Sequence, residues 1–280
     1  MNIIEILKVI ILGMVEGFTE WLPISSTGHM ILVNEIIHLH QPEDFVSVFL
    51  VVIQLGAILA VLFRFFHQLW PLARSRRSGR VGLLPSKMQL WIKIIAACVP
   101  AAVLGLLFDD ILDKYLYNGF VVALMLILYG IFFLVLERQN ETKEFTVESL
   151  HELDLRTAFL IGLFQCLALI PGTSRSGATI LGAMLLGVAR IPAAEFSFFL
   201  SVPVMFGASL LKLVKHGLLF SGSQWLYLLL ACLVAFLVSL YCINFLMRYI
   251  RNHSFAIFGY YRIVLGILVL LWFLVSRLTG

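Results

Sequence analysis

Six long apolar segments limit the possible folds of this chain more than any other feature. They cover residues 45–62, 90–108, 120–136, 196–213, 225–246 and 255–275. Each has close to the roughly 20 residues that an α-helix needs to cross the hydrocarbon core of a bilayer. Inside lipid, only helices and closed barrels satisfy all backbone hydrogen bonds, and runs of this length are typical of helices. The sequence therefore predicts an all-α polytopic membrane protein.

The composition excludes a water-soluble fold. Apolar residues make up 61% of the chain and charged residues 13%, whereas soluble domains have about 45–50% and 25%. The net charge of +4 does not indicate a nucleic-acid partner, because Lys and Arg cluster in loops between apolar segments, as membrane topology requires. The four cysteines lie inside apolar segments without metal-ligand spacing and are interpreted as small buried side chains.

Two further apolar segments are interrupted by a proline and a cluster of Ser, Thr and Gly. Residues 3–22 and 158–170 each run into such a break, and each is followed by a second short apolar helix, at 30–37 and 178–188. This order is typical of a re-entrant hairpin. Irregular backbone at membrane depth is tolerated only where it lines a cavity or is buried in protein.

The two broken segments belong to an internal repeat. A shift of 149 residues aligns Ser25 with Ser174 and Gly28 with Gly177. Each half then has one re-entrant helical hairpin and three transmembrane helices, and an odd number of spans turns the second half upside down. We therefore expect an inverted-topology repeat. Its parts are a first repeat at 1–137 with the hairpin at 3–38, a cytoplasmic linker at 138–156, and a second repeat at 157–280 with the hairpin at 158–189.

The basic residues predict the orientation in the membrane. If the six spans alternate and each hairpin returns to its own side, fourteen Lys and Arg residues collect on one side and five on the other. The more basic side is expected to be cytoplasmic, with both termini outside. Its residues are Arg64, Arg74, Arg76, Arg77, Arg80, Lys87, Lys93, Arg138, Lys143, Arg156, Arg190, Arg248, Arg251 and Arg262.

The first hairpin carries two carboxylates, in the stretch EGFTEWLPISSTGH at residues 16–29. Glu16 and Glu20 are four residues apart, so on a helix they share one face. Two carboxylates in an apolar segment are costly unless they bind a cation, share a proton or meet an Arg.

Hydroxyl groups and a histidine follow these carboxylates. Ser25, Ser26 and Thr27 can cap the next helix, and if that helix begins at Ser26, His29 lies about one turn later. We expect Ser26 to act as an activated hydroxyl nucleophile, with His29 taking its proton and Glu20 orienting the imidazole. Direct attack by His29 or by metal-bound water remains an alternative.

The second hairpin carries Arg175 in the stretch PGTSRSGAT at residues 171–179. The planar guanidinium is suited to phosphate, and a helix N-terminus surrounded by hydroxyls is a ready anion site. An ion pair with Glu20 is the alternative and is compatible with this role. The hydroxyls expected to contact the phosphate belong to Ser25, Thr27, Ser174, Ser176 and Thr179.

Three longer stretches carry a resemblance to a known family: EGFTEWLPISSTGHM at 16–30, FQCLALIPGTSRSGATI at 164–180 and AEFSFFLSVP at 194–203. With them, essentially the whole chain resembles the undecaprenyl-pyrophosphate phosphatases of the bacitracin-resistance type. The resemblance implies a bacterial inner (plasma) membrane enzyme that removes the terminal phosphate of its lipid substrate, undecaprenyl pyrophosphate, and so recycles the carrier for peptidoglycan synthesis. It also implies an active site open to the periplasm and a requirement for Mg²⁺ or Ca²⁺.

The family's site residues are all present here. By position they correspond to Glu16, Glu20, Ser26, His29, Ser174, Arg175 and Thr179. The two glutamates are expected to hold the metal, and Thr173 departs from the bulkier residue expected in that motif.

A different class of function also fits the fold. Inverted repeats with broken helices are the usual layout of transporters, so a polyprenyl-phosphate flippase is the alternative. The Ser26 and His29 pair favours the phosphatase, because a transporter needs no nucleophile. The sequence leaves the oligomeric state open, with a homodimer as one arrangement that fits.

Overall fold

Helices account for most of the computed structural model, which describes residues 2–74, 81–116, 118–216 and 220–279. The helices are α1 Ile3–Thr19, α2 Ser26–Ile37, α3 Glu43–Val52, α4 Gln54–Arg64, α5 Phe66–Leu69, α6 Pro85–Leu116, α7 Gly119–Gln139, α8 Leu155–Gln165, α9 Arg175–Leu185, α10 Arg190–His216, α11 Gly222–Tyr249 and α12 Ala256–Thr279. A 3₁₀ turn, Cys166–Leu169, extends α8. Two short strands, β1 Leu72–Arg74 and β2 Val81–Leu83, pair antiparallel and were not predicted from the sequence. Arg76, Arg77 and Arg80 of the basic set lie outside the described residues.

Six segments within the described ranges are long and apolar enough to cross a membrane. They are Glu43–Arg64, Pro85–Phe108, Gly119–Gln139, Arg190–Lys215, Gly222–Tyr249 and Ala256–Val275. Each contains or overlaps one of the six segments predicted from the sequence, and the first is built from α3 and α4 in succession. The prediction of an all-α polytopic membrane protein is therefore confirmed.

Two helix–break–helix segments, α1–α2 and α8–α9, lie where the sequence predicted interrupted helices. Each break contains a proline, Pro23 or Pro171, which has no N–H to continue a helix. The backbone then turns through positive φ at Ser25 (75°) in the first break, and at Gly172 (89°) and Ser174 (75°) in the second. Such values are uncommon for a non-glycine residue and mark a backbone held by its surroundings.

Glycines bring the helices that carry the breaks close to their neighbours. Helix α1 packs on α11 at Gly13 and Gly17, where an added Cβ would lie 2.8 Å from a carbonyl oxygen of α11 in each case. Helices α7 and α12 approach at Gly130 and Gly259, where a Cβ would lie 2.7 and 2.8 Å from the other glycine's carbonyl oxygen. Contact between small residues is how helices pack in a lipid environment, where no hydrophobic force drives them together.

An aromatic core surrounds the first break. Trp21 is fully buried, and its ring meets that of Phe198 edge to face with centroids 5.3 Å apart. Phe65 contacts both Phe198 and Phe199 of α10. This packing holds the irregular backbone between α1 and α2 inside protein, as expected for polar backbone at membrane depth.

Candidate active site

The two breaks end in the same cap. Helix α2 begins at Ser26, four residues before the predicted segment 30–37, and the Ser25 hydroxyl accepts a hydrogen bond from the Gly28 N–H at 3.3 Å. In the second break, the Ser174 hydroxyl accepts from the Gly177 N–H at 3.1 Å. The N–H groups of the first helical residues have no partner within their own helix. Each helix start therefore has N–H groups of the kind that bind anions.

A carboxylate of the first break joins both breaks. Glu20 lies at the end of α1, and its Oε1 accepts from Nη2 of Arg175 at 2.9 Å, with both side chains about one tenth exposed. Its other oxygen, Oε2, accepts a hydrogen bond from the hydroxyl of Ser26. Glu20 thus contacts Ser26 at the start of α2 and Arg175 at the start of α9.

Arg175 is held from a second direction by Ser197, a fully buried residue of α10. Nη1 of Arg175 donates to the Ser197 carbonyl oxygen at 2.5 Å, and the Ser197 hydroxyl accepts from Thr179 at 2.7 Å. The guanidinium also lies 5.9 Å from the centre of the Trp21 ring. Ser197 was not predicted as a site residue, although it belongs to the third stretch that carried the family resemblance.

The remaining predicted hydroxyl groups lie in different surroundings. Ser176 is buried and donates to the Glu20 carbonyl oxygen at 3.1 Å, which ties the second break to the first. Thr179 is buried behind Arg175 and also bonds the Arg175 carbonyl oxygen at 2.9 Å. Thr27, by contrast, is exposed. Ser176 and Thr179 therefore hold protein groups in place, and Thr27 is accessible.

His29 lies near Ser26 but bonds other groups. Its Nδ1 is 2.7 Å from the Ser25 carbonyl oxygen, and its Nε2 is 2.7 Å from the hydroxyl of Tyr261. No hydrogen bond joins Ser26 to His29 in the described part of the chain, so the expected order Ser26–His29–Glu20 is not the one observed. On a helix, Cβ atoms tilt toward the N-terminus. The Ser26 hydroxyl accordingly reaches back to Glu20 on the preceding helix.

Glu16 is a buried carboxylate without a direct partner. It is 3% exposed and lies one turn before Glu20 on α1. Among the residues described, its carboxylate makes no hydrogen bond and no ion pair. Nor does this part of the chain contain a group of three or more His, Cys, Asp or Glu side chains that could hold a metal. Glu16 and Glu20, one turn apart on α1, are the two carboxylates of this site that could hold a cation.

Arg262 holds the two breaks together. It was counted above with the basic residues of the cytoplasmic side, and it is fully buried in α12. Its guanidinium donates to the carbonyl oxygens of Pro23 at 3.0 Å, Gly172 at 2.8 Å and Thr173 at 2.8 Å. Counting charges by segment cannot distinguish such an Arg from a loop residue. An Arg within an apolar segment was nevertheless a signal of a functional or structural site.

The arrangement is suited to phosphoryl chemistry. A hydroxyl hydrogen-bonded to a carboxylate is the pattern of an activated oxygen nucleophile. Arg175 and two helix N-termini lie beside it, and both bind phosphate oxygens well.

Comparison with known proteins also indicates phosphoryl chemistry. The family described as "Bacitracin resistance protein BacA" matches residues 9–268. The chain belongs to this family. Curated relatives named "Undecaprenyl-diphosphatase" include one from Enterococcus faecalis, 54% identical over 97% of this chain and 98% of its own length. Another from Streptococcus mutans is 55% identical over 99% of each chain. A third, from Acetivibrio thermocellus, is 52% identical over 98% of this chain and its whole length.

Replacing Arg262 should loosen both breaks at once. In Arg262→Met, three buried carbonyl groups lose their donor, and each unsatisfied group costs about 1–3 kcal/mol. We expect the thermal midpoint of the detergent-solubilised protein to fall by on the order of 10 °C, with Arg262→Lys in between. Arg138→Met, which removes an exposed arginine, is the control and should melt like the parent. Equal midpoints for Arg262→Met and the parent would show that the Arg262 hydrogen bonds are not needed for the stability of the protein.

Proposed function

We propose that this protein is an integral membrane phosphatase that hydrolyses undecaprenyl pyrophosphate to undecaprenyl phosphate and inorganic phosphate. The reaction recycles the lipid carrier used in peptidoglycan synthesis. The observation that carries the proposal is the chain of contacts from Ser26 through Glu20 to Arg175, in a protein whose relatives share its full length and are named for this activity. A flippase would need the charged groups but not a hydroxyl bonded to a carboxylate.

The terminal phosphate binds between the starts of α2 and α9. Arg175 supplies the positive charge. The exposed Thr27 and the half-buried Ser174 lie at these helix starts and complete the polar wall. Because the donors are held by Glu20 and Ser197 before substrate arrives, little reorganisation is needed as charge develops.

In the first step the Ser26 hydroxyl oxygen attacks the terminal phosphorus atom. Its proton passes to Glu20 along the hydrogen bond already present. The bond between phosphorus and the bridging oxygen breaks, and undecaprenyl phosphate leaves with the electron pair. Arg175 stabilises the charge that accumulates on the phosphoryl oxygens.

In the second step water releases phosphate from the phosphoserine. His29 takes a proton from the attacking water through Nε2, and protonated Glu20 returns its proton to the Ser26 oxygen. The rival scheme, in which His29 or water attacks the substrate directly, makes Ser26 only a phosphate ligand.

Glu16 and Glu20 fit a divalent cation, Mg²⁺ or Ca²⁺. Both ions prefer oxygen ligands, and Mg²⁺ is commonly held by one or two carboxylates together with substrate phosphates and water. The partnerless buried carboxylate of Glu16 supports this assignment, since a buried charge needs compensation. When bound, the ion supplies positive charge that lowers the cost of charge on the pyrophosphate.

The two halves form an inverted-topology repeat, with a first repeat at 1–137, a linker at 138–156 and a second repeat at 157–280. Support comes from the matching caps, because Ser25 and Ser174 have the same φ of 75° and each accepts from the N–H three residues later. Three candidate spans follow each hairpin. An odd number of spans per half reverses the second half in the membrane.

In the plasma membrane, the basic loops face the cytoplasm and the site opens to the outer, periplasmic side. A cysteine at Glu43, at the start of α3, should then react with a membrane-impermeant maleimide in intact cells. A cysteine at Lys143, in the linker, should react only after permeabilisation. Both positions are exposed, so the pair differs in sidedness rather than in burial. The reverse labelling pattern would overturn the orientation.

The purified, detergent-solubilised protein should release inorganic phosphate from undecaprenyl pyrophosphate. EDTA should abolish the release, and added Mg²⁺ or Ca²⁺ should restore it. Glu16→Gln should lower turnover by about a hundredfold, because an amide is a poorer ligand and carries no charge. Glu35→Gln, an exposed glutamate of α2, is the matched control.

The outcomes separate the parts of this proposal. Full activity in EDTA rules out the metal but leaves the phosphatase. No phosphate release with either metal removes the phosphatase, and transport of polyprenyl phosphate across proteoliposomes without hydrolysis would favour the flippase.

Ser26→Ala should reduce kcat by about 10⁴-fold or more while the protein remains folded, as expected for loss of a nucleophile. Acid-quenched parent protein should carry phosphate on the Ser26 peptide when analysed by mass spectrometry. Ser47→Ala, in α3 and outside the site, is the control. If Ser26→Ala keeps about a tenth of turnover, a barrier change of only about 1.4 kcal/mol, the nucleophile is His29 or water.

A further inference from the structure

Tyr261 contacts His29 from the far end of the chain. The Tyr261 hydroxyl is 2.7 Å from Nε2 of His29, and the two rings are stacked with an interplanar angle of 7° and centroids 5.7 Å apart. Tyr261 belongs to α12 and precedes Arg262, which anchors the same helix to both breaks. None of the sequence motifs that define the site includes it.

The second contact of His29 fixes which nitrogen carries the proton. Nδ1 lies 2.7 Å from the Ser25 carbonyl oxygen, which can only accept, so Nδ1 donates. A neutral imidazole carries one N–H, and Nε2 therefore presents a lone pair. The Tyr261 hydroxyl is then the donor to Nε2. Both ring nitrogens and the ring plane are specified by these two residues.

We propose that Tyr261 is a positioning residue of the proposed phosphatase: it holds the His29 imidazole with the Nε2 lone pair available as a base. The inference rests on the proposed function, in which Nε2 receives a proton from the attacking water. In the resting state the Tyr261 hydroxyl donates its hydrogen bond to Nε2, where the water will later donate its proton. The water replaces it once the phosphoserine has formed.

Exposure and placement favour this role over a structural one. Tyr261 is 45% exposed, so its hydroxyl can leave Nε2 without opening the core, and the contact adds little to stability. The buried hydrogen bonds that join α12 to the breaks are made by Arg262 instead. Successive helix residues point in different directions. Tyr260 accordingly is 62% exposed and has no hydrogen-bond partner in the described part of the chain, which makes it a matched control.

The test compares Tyr261→Phe with Tyr260→Phe in the full-length, detergent-solubilised protein, using undecaprenyl pyrophosphate as substrate. Phenylalanine keeps the stacked ring and removes only the hydroxyl. In Tyr261→Phe we expect kcat to fall about tenfold, the equivalent of one hydrogen bond, with KM and the thermal midpoint unchanged. With ¹⁵N-labelled histidine, the Nε2 resonance of His29 should move in Tyr261→Phe alone. It is assigned by its loss in His29→Gln.

The outcomes distinguish this inference from the proposed function. If the parent hydrolyses the lipid and Tyr261→Phe matches Tyr260→Phe in kcat, Tyr261 does not position the base. A fall in kcat with an unmoved Nε2 resonance also overturns the inference, because Tyr261 would then act other than through His29. If the parent releases no phosphate, the proposed function fails, whereas the resonance still tests whether Tyr261 holds the imidazole.

Discussion

The arrangement of the whole site depends on one guanidinium, that of Arg262, which donates to carbonyl groups of both backbone breaks. Non-helical backbone inside a membrane leaves polar groups that lipid cannot satisfy, and each such group costs several kcal/mol. A side chain with five donors and a permanent charge can satisfy several carbonyl groups at once. Because the same residue contacts both breaks, neither can shift without straining the other, and the two short helices keep their relative position.

Glu20 joins the polar side chains of the site, just as Arg262 joins the backbone of the two breaks. It receives the Ser26 hydroxyl on one oxygen and Arg175 on the other, while its own carbonyl oxygen accepts from Ser176. The Arg175 guanidinium lowers the energy of the Glu20 carboxylate, and this carboxylate orients the Ser26 hydroxyl. Ser197 completes this network from α10 by fixing the other end of the Arg175 fork. A substitution at Glu20 therefore affects the Ser26 hydroxyl and the Arg175 guanidinium together.

The sequence predicts the parts of this structure that depend on local order. Six spans follow from the lengths of apolar runs, and the start of α2 follows from a proline and hydroxyl-bearing residues in succession. The contacts of Arg262 and Tyr261 could not be predicted in the same way, since they join residues 89 to 239 positions apart. Hydropathy gives the length of a helix but not its rotation about its own axis. That rotation decides whether Arg262 meets the lipid, the loop or the breaks.

The two short helices begin alike but with different side chains. After caps of the same φ, the first residue of α2 is Ser26 and that of α9 is Arg175. Two identical subunits related by a twofold axis must carry the same residue at both places, and so would offer two hydroxyls or two cations. A single chain is free of that constraint. Its two helix starts can therefore carry different groups, a hydroxyl that can form a bond at Ser26 and a permanent charge at Arg175.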